Sequence, residues 1–309
     1  MSAHASEVVA ALQRAPGFAS VTEADVSLTR LGGLTNVVHL ADTGAERVVV
    51  RIPGPGTEAY IDREIEAHNA RAAAAAGVSA DLIWADPDSG IMVTRAIDRI
   101  VTMTPELFAS RAGAPERAGA ALAKLHGSGQ AFEFRFELFS MIEEYLKLLS
   151  TKKVDLPEGY HAIVEAADPV KRLLAERPQP LAPCHCDPLC ENFLDDGETM
   201  WIVDWEYSGM NDPLWDVGDL SVEAEMTDAL EEELMRGYFG RAPGAAEHGR
   251  VVIYKAMCDL LWTLWGLIQH ADGNPAEDFW AYATGRFDRC TALMNDAGWA
   301  GHLAAVREG

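Results

Sequence analysis

Within the segment CHCDPLCENFLDDGETMWIVDWEY, residues 184–207, three side chains fall at spacings that suit phosphoryl transfer. Asp187 and Asn192 sit in an H-x-D-x-x-x-x-N pattern, and Asp204 follows downstream. Asp195-Asp196-Gly197-Glu198 reads as a turn between residues 192–194 and 200–205, so a hairpin brings Asp204 back toward Asn192. Magnesium is a hard cation that takes oxygen ligands, usually one or two protein carboxylates plus phosphate oxygens. A kinase also needs a group that orients the acceptor hydroxyl and takes its proton. A carboxylate with a reference pKa of about 3.9 is ionised at neutral pH and can do this. His185 reads as a brace of the same loop. Cys184, Cys186 and Cys190 form C-H-C-x-x-x-C, which matches no common structural zinc pattern. They read as small apolar residues of a buried loop.

Elements that could hold this loop are visible on both sides of it. Residues 26–31 and 36–41 flank the turn signal Gly32-Gly33, and residues 47–52 (RVVVRI) form a β-branched run typical of a buried strand. After Pro53-Gly54-Pro55-Gly56, an alanine-rich helix is predicted over 58–76 with Gly77 at its C′ position, followed by short strands near 82–85 and 91–94. From Pro105 onward the pattern turns helical, with helices predicted over 105–127, 137–150, 158–176, 226–239, 247–271 and 276–295. The layout is a small sheet-based lobe, a hinge near 94–98, and a mainly helical lobe interrupted by one hairpin.

Composition narrows the setting. Of 309 residues 49% are hydrophobic, enough for one large core or two moderate ones. Lys and Arg total 25 against 48 Asp and Glu, a formal charge of 25 − 48 = −23, which repels nucleic acid and anionic lipid and tolerates a cationic substrate. Five cysteines in a long chain do not suggest a secreted disulfide scaffold. The opening MSAHASEVVA has no basic region followed by an apolar run, and no stretch reads as a membrane span. The expectation is a cytoplasmic protein with neither nucleic-acid nor membrane partners.

The stretch V-D-W-E-Y-S-G-M-N-D-P-L-W-D-V-G-D-L-S-V-E, residues 203–223, resembles the corresponding block of choline and ethanolamine kinases, in the aminoglycoside phosphotransferase group. R-L-G-G-L-T-N (30–36) resembles the family's phosphate-covering loop, V-V-V-R-I-P-G (48–54) its third strand, L-W-T-L-W-G-L-I-Q (261–269) its tryptophan helix, and D-F-W-A-Y-A-T-G-R-F-D (278–288) its last helix. The loop reads H-C-D where relatives often have H-N-D or H-G-D, and the likeness is strongest to the bacterial lipopolysaccharide choline kinase-like branch.

The resemblance implies an α+β, two-lobed, protein kinase-like fold with a small mixed-sheet N-lobe (1–97) and a mainly helical C-lobe (98–309). It implies ATP, or another nucleoside triphosphate, and Mg²⁺. Gly32, Gly33 and Asn36 would lie over the nucleotide. Arg51 would grip its phosphates, oriented by Glu64, with Glu66 the competing candidate. Asn192 and Asp204 would hold the metal and Asp187 would be the catalytic base. Glu206, Glu223, Trp262, Trp265 and Tyr282 would meet the acceptor. Trp262 and Trp265 share a helical face, a spacing that core aromatics also show. Aromatic faces backed by a carboxylate suit a quaternary ammonium. The implied acceptor is choline or a similar small amino alcohol. Ethanolamine, an aminoglycoside, a thiamine-like alcohol or a sugar are the other acceptors, and a binding protein without transfer is the other class.

Overall fold

The computed structural model describes residues 3–32, 36–54 and 61–309. Helix α1 (Ala3–Gln13) lays Val8, Ala11 and Leu12 against a five-stranded sheet. That sheet comprises β1 (Ser27–Arg30), β2 (Asn36–Asp42) and β3 (Arg47–Pro53), then helix α2 (Arg63–Ala75), then β4 (Leu82–Asp86) and β5 (Ile91–Arg95). The strand order is β1-β2-β3-β5-β4, and every pairing is antiparallel. Alternation along β3 buries Val48, Val50 and Ile52 in a small core with Val93, and so turns Arg51 to the opposite face. The Gly33 part of the predicted glycine turn lies outside the described residues.

Helix α2 begins later than its alanine pattern suggests, because the Asp62 side chain accepts from the Glu64 and Ile65 amides and caps it there. Its alanines Ala67, Ala70 and Ala73 join the large core of the second lobe. Gly77 follows the helix with φ 73°, the left-handed C′ conformation that glycine adopts without a Cβ clash.

The second lobe opens with the short strand β6 (Val101–Thr102). Its helices are α3 (Pro105–Ser110), α4 (Ala114–His126), α5 (Leu138–Leu149), α6 (Tyr160–Ala166) and α7 (Asp168–Glu176). Two predicted helices are therefore broken. Gly113, at φ 69°, and Pro115 split 105–127, and Pro169 restarts the second half of 158–176. Strands β7 (Ala182–Cys184), β8 (Phe193–Asp195), β9 (Met200–Ile202) and β10 (Gly209–Asn211) follow, with β8–β9 forming the predicted hairpin. Arg111 and Arg117 fasten that hairpin through the buried Asp195 carboxylate, at 2.8 and 2.7 Å.

The chain ends in α8 (Leu214–Glu223), α9 (Asp228–Phe239), α10 (Ala245–Ala271), α11 (Phe279–Met294) and α12 (Trp299–Glu308). Helices α1, α8 and α12 are not predicted by the sequence pattern. Contrary to the sequence expectation, the 27-residue α10 is long and apolar enough to span a membrane, with an 18-residue window of mean hydropathy 1.5, but 89% of that window is buried. It is the central rod of the helical lobe.

Candidate active site

The loop after β7 is held from below. The buried Asp216 carboxylate of α8 accepts from the His185 amide at 2.7 Å and the Cys186 amide at 2.9 Å, and meets His126 Nε2 at 2.9 Å. Trp215 Nε1 donates to the Cys186 carbonyl at 3.0 Å. So clamped, Cys186 takes φ 67°, the left-handed conformation that glycine and asparagine accept most readily. Cysteine is tolerated there because three hydrogen bonds fix the peptides on either side. His185 Nδ1 accepts from the Asp187 amide at 3.3 Å, which leaves the proton on Nε2 to donate to the Val203 carbonyl at 2.9 Å. Burial lowers the pKa of His185, so it is a neutral brace between loop and hairpin.

Asp187, Asn192 and Asp204 come together as the spacing predicts. Asn192 Nδ2 donates to the Asp187 carbonyl at 3.1 Å, which turns the amide oxygen the other way. The Val203 amide donates to the Asn192 carbonyl at 2.9 Å and carries the hairpin directly into Asp204, itself at φ 67°. Burial, with repulsion from Glu223 and Asp204, pushes the Asp187 carboxyl up to about 8. Burial also pushes Asp204 up, to about 7, with Glu206 and Glu66 repelling it against the pull of Arg51. Glu66, Asp204 and Glu206 each bring an oxygen within 4.8 Å of one another. The oxygens of Glu66, Asp204 and Glu206, with the Asn192 amide oxygen nearby, are a hard donor set in which three carboxylates outnumber the two guanidiniums, Arg51 and Arg63, and this fits Mg²⁺.

Across the cleft, Arg51 Nη1 lies 3.0 Å from Asp204 Oδ1 while Nη2 pairs closely with Glu66. Here the structure corrects the sequence reading. Glu64 faces solvent in the first turn of α2, whereas Glu66, 1% exposed, is the partner of Arg51. The Asp62 cap fixes the helical phase and so decides between the two. Glu206 also moves from its expected place. It accepts from Arg63 Nη1 at 2.8 Å and Asn36 Nδ2 at 3.1 Å, beside Arg51 and apart from Trp262, Trp265 and Tyr282. Arg63, which sequence reasoning missed, also bonds Glu66 at 2.7 Å. Its R-x-x-E spacing on a helix was the available signal.

On the other flank, Trp262 is 3% exposed and donates to Asp219 Oδ2 at 3.1 Å. Trp265 is half-buried, packs on Tyr282 with centroids 5.7 Å apart, and donates to the Tyr207 hydroxyl at 3.3 Å. Tyr207 also meets Trp262 edge-on at 5.9 Å. Glu223 is ion-paired to Arg286, whose guanidinium also stands 4.5 Å over the Tyr282 ring and 3.2 Å from Asp259. A cavity of about 290 Å³ opens here, with Glu223, Tyr282 and Arg286 in its wall. Asp216, Asp219 and Arg286 also escaped the sequence reading. The three cysteines of the loop donate to three separate carbonyls, of Asn211, Cys184 and Glu223, and burial raises all of their thiols.

Comparison with known proteins agrees with this geometry. Residues 27–248 match the phosphotransferase enzyme family. The crystal structure of a choline/ethanolamine kinase family protein from Mesorhizobium loti is 59% identical, with a TM-score of 0.90 over 98% of this chain and 99% of that one. The choline kinase LicA of Streptococcus pneumoniae is 28% identical, with a TM-score of 0.74 over 87% of this chain and 94% of that one. The LicA protein of Haemophilus influenzae is 27% identical over 285 residues, 88% of this chain and 80% of that protein.

Proposed function

The chain belongs to the phosphotransferase enzyme family and, within it, to the choline/ethanolamine kinase family, and from that premise we propose that it moves the γ-phosphoryl group of ATP, or another nucleoside triphosphate, to the hydroxyl of choline or a similar small amino alcohol. The observation that carries this reading is the joining of Asp187, Asn192 and Asp204 into one hydrogen-bonded unit facing Arg51. In this reading residues 1–97 form the phosphate-binding lobe and 98–309 carry the catalytic loop and acceptor pocket.

Arg51 takes the phosphates with its planar fork, exchanging Asp204 for phosphate oxygen while Glu66 keeps the guanidinium aligned. Asp204 and Asn192 hold the metal, with Glu206 beside them. A Mg²⁺ held by these residues would supply positive charge against the phosphate oxygens. Asp187 orients the acceptor hydroxyl and accepts its proton while the oxygen bonds to the γ-phosphorus and the bond to the nucleoside diphosphate breaks. Its raised pKa falls as cations enter the site and restore the carboxylate. Trp262 and Trp265 form one side of the acceptor pocket. The test is Mg²⁺-dependent nucleotide consumption with choline, ethanolamine, an aminoglycoside, a thiamine-like alcohol and a sugar. Stimulation by choline or ethanolamine is expected. Stimulation by none would leave a ligand-binding protein, and stimulation by the sugar alone would move the acceptor class.

A further inference from the structure

The acids grouped around Arg51 come from elements far apart in sequence. Glu66 rides on α2, whereas Asp204 and Glu206 stand on the loop after β9. Like charges repel, so their approach within 4.8 Å has to be enforced. Arg51 joins Asp204 to Glu66 in the ligand-free fold, but it is also the group that exchanges Asp204 for phosphate oxygen. Other contacts must then keep the spacing. Asn69 is placed to do so. It lies three residues after Glu66 on α2 and is fully buried. Its Nδ2 donates to the Ser208 carbonyl at 3.0 Å and lies 3.1 Å from the Ser208 hydroxyl, two residues past Glu206. Its Oδ1 accepts from the Glu133 amide at 2.9 Å, and Nδ2 also reaches the Glu133 carbonyl at 3.2 Å.

These bonds are part of a closed circuit around the acid loop. The Ser208 hydroxyl donates to the Trp205 carbonyl at 2.6 Å and closes the turn that carries Glu206. The segment holding Glu133 is fastened just beyond it, where the Met210 amide donates to the Phe134 carbonyl at 2.9 Å and the Phe136 amide to the Met210 carbonyl at 3.1 Å. At the other end of the loop, the Ile202 amide donates to the Val78 carbonyl at 2.8 Å and Trp205 Nε1 to the Ser79 hydroxyl at 3.2 Å. Residues just after α2 therefore grip the loop at 202 and 205, and α2 itself grips it at 208. Asp204 and Glu206 lie between the grips. None of these bonds uses an ionised side chain, so an arriving polyanion or cation does not compete for them as it does for the ion pairs of Arg51. Asparagine suits the place: a short, uncharged amide offers donors and an acceptor at once, and it tolerates burial when both are used.

We propose that Asn69 is a positioning residue for phosphoryl transfer: through Ser208 it fixes the separation of Glu66 from Asp204 and Glu206, and so sets the metal-binding geometry without touching substrate. The assignment rests on the metal and phosphate reading above. The test needs no turnover. The full chain is titrated by calorimetry with a non-hydrolysable ATP analogue, once in EDTA and once in Mg²⁺, and the ratio of the two affinities reads the metal site. Asn69→Ala is expected to cut that ratio by about 10-fold, the scale on which residues behind metal ligands act, while leaving the affinity in EDTA within about 2-fold. Ser208→Ala removes the hydroxyl and keeps the carbonyl, and is expected to cut the ratio by about 3-fold. In steady-state assays the Mg²⁺ concentration for half-maximal rate should rise by the same factors, with the KM for choline within about 2-fold. A merely structural role lowers the melting temperature and the folded fraction but leaves the ratio of the folded protein where it was. An unchanged ratio in folded Asn69→Ala overturns the proposal. Where that variant does not fold, an unchanged ratio in Ser208→Ala overturns it equally. If the unaltered protein binds the analogue no more tightly in Mg²⁺ than in EDTA, the metal assignment itself falls and this proposal with it, and the wild-type titrations alone separate that failure from the other.

Discussion

On the Arg51 side of the cleft, two guanidiniums, Arg51 and Arg63, face three carboxylates, Glu66, Asp204 and Glu206, and every one of the five has a partner of opposite charge. On the Asp187 side, one guanidinium, Arg286, pairs with Glu223 and Asp259, the remaining wall is aromatic, and Asp187 and Asp219 have no described salt bridge. The phosphate side is a set of ion pairs that can trade partners when a polyanion and a metal arrive together. The Asp187 side pairs Glu223 and Asp259 with Arg286 and defines shape with rings. An anion and a small cationic alcohol thus meet different physics a few residues apart, which keeps either from binding well in the other's place.

The largest effect should come where the two sides meet. Asp187→Asn removes the proton acceptor without touching the phosphate contacts, so kcat should fall by about 10²- to 10⁴-fold while calorimetric nucleotide affinity changes little. Near-normal turnover would dissolve the distinction between the sides. Next, Arg51→Ala should weaken nucleotide binding by roughly 10- to 100-fold, from loss of charge-assisted hydrogen bonds. Arg51→Lys should recover only part, since a point charge replaces a fork. Unchanged affinity on titration calorimetry would remove Arg51 from the phosphate side. Smaller again, Trp265→Ala should raise the KM for choline by roughly 2- to 30-fold and that for ethanolamine by less, with little change in melting temperature because Trp265 is only half-buried. Equal losses on both alcohols with a collapsed melting temperature would return this ring to the core.

A separate effect, read without any substrate, is on stability. Asp187 ionises near 8 in the ligand-free fold and near 3.9 when unfolded, so between those values the native state holds the extra proton and stability falls as pH rises. Asp187→Asn removes that slope. Ligand-free melting curves should show the variant gaining more over the wild type at pH 8 than at pH 5. A gain independent of pH would mean that the carboxylate is not under strain.

Contiguity decided how much of this was legible. Asp187, Asn192 and Asp204 lie on one loop and its hairpin, so their spacing brought them together, and Arg51 was singled out by the likeness of V-V-V-R-I-P-G to the family's third strand. Glu64 and Glu66 differ by two positions on a helix whose phase is set by Asp62, and an alanine-rich pattern carries no phase. Helix α8 stayed hidden because every residue from Leu214 through Ser221 is buried, acids included, so it has no exposed polar face opposite an apolar one. Its acids Asp216 and Asp219 consequently drew no role from the sequence. That Arg286 pairs with Glu223 and Asp259 is a tertiary contact between α11 and two other helices, and no spacing encodes it.

Helix α10 has a consequence for how the chain is made. It leaves the ribosome before α11 and α12, the two helices that pack along it in the finished lobe. For the interval of synthesis in which only its N-terminal neighbours exist, a 27-residue helix with an 18-residue apolar window lacks the α11 and α12 cover. A chain terminated just past Ala271 would keep every catalytic carboxylate named above and still present that segment to lipid and chaperones. The last two helices therefore act as the enclosure that commits a nascent apolar rod to water, and premature stop codons in this stretch should yield aggregated or membrane-bound product instead of a weakened enzyme.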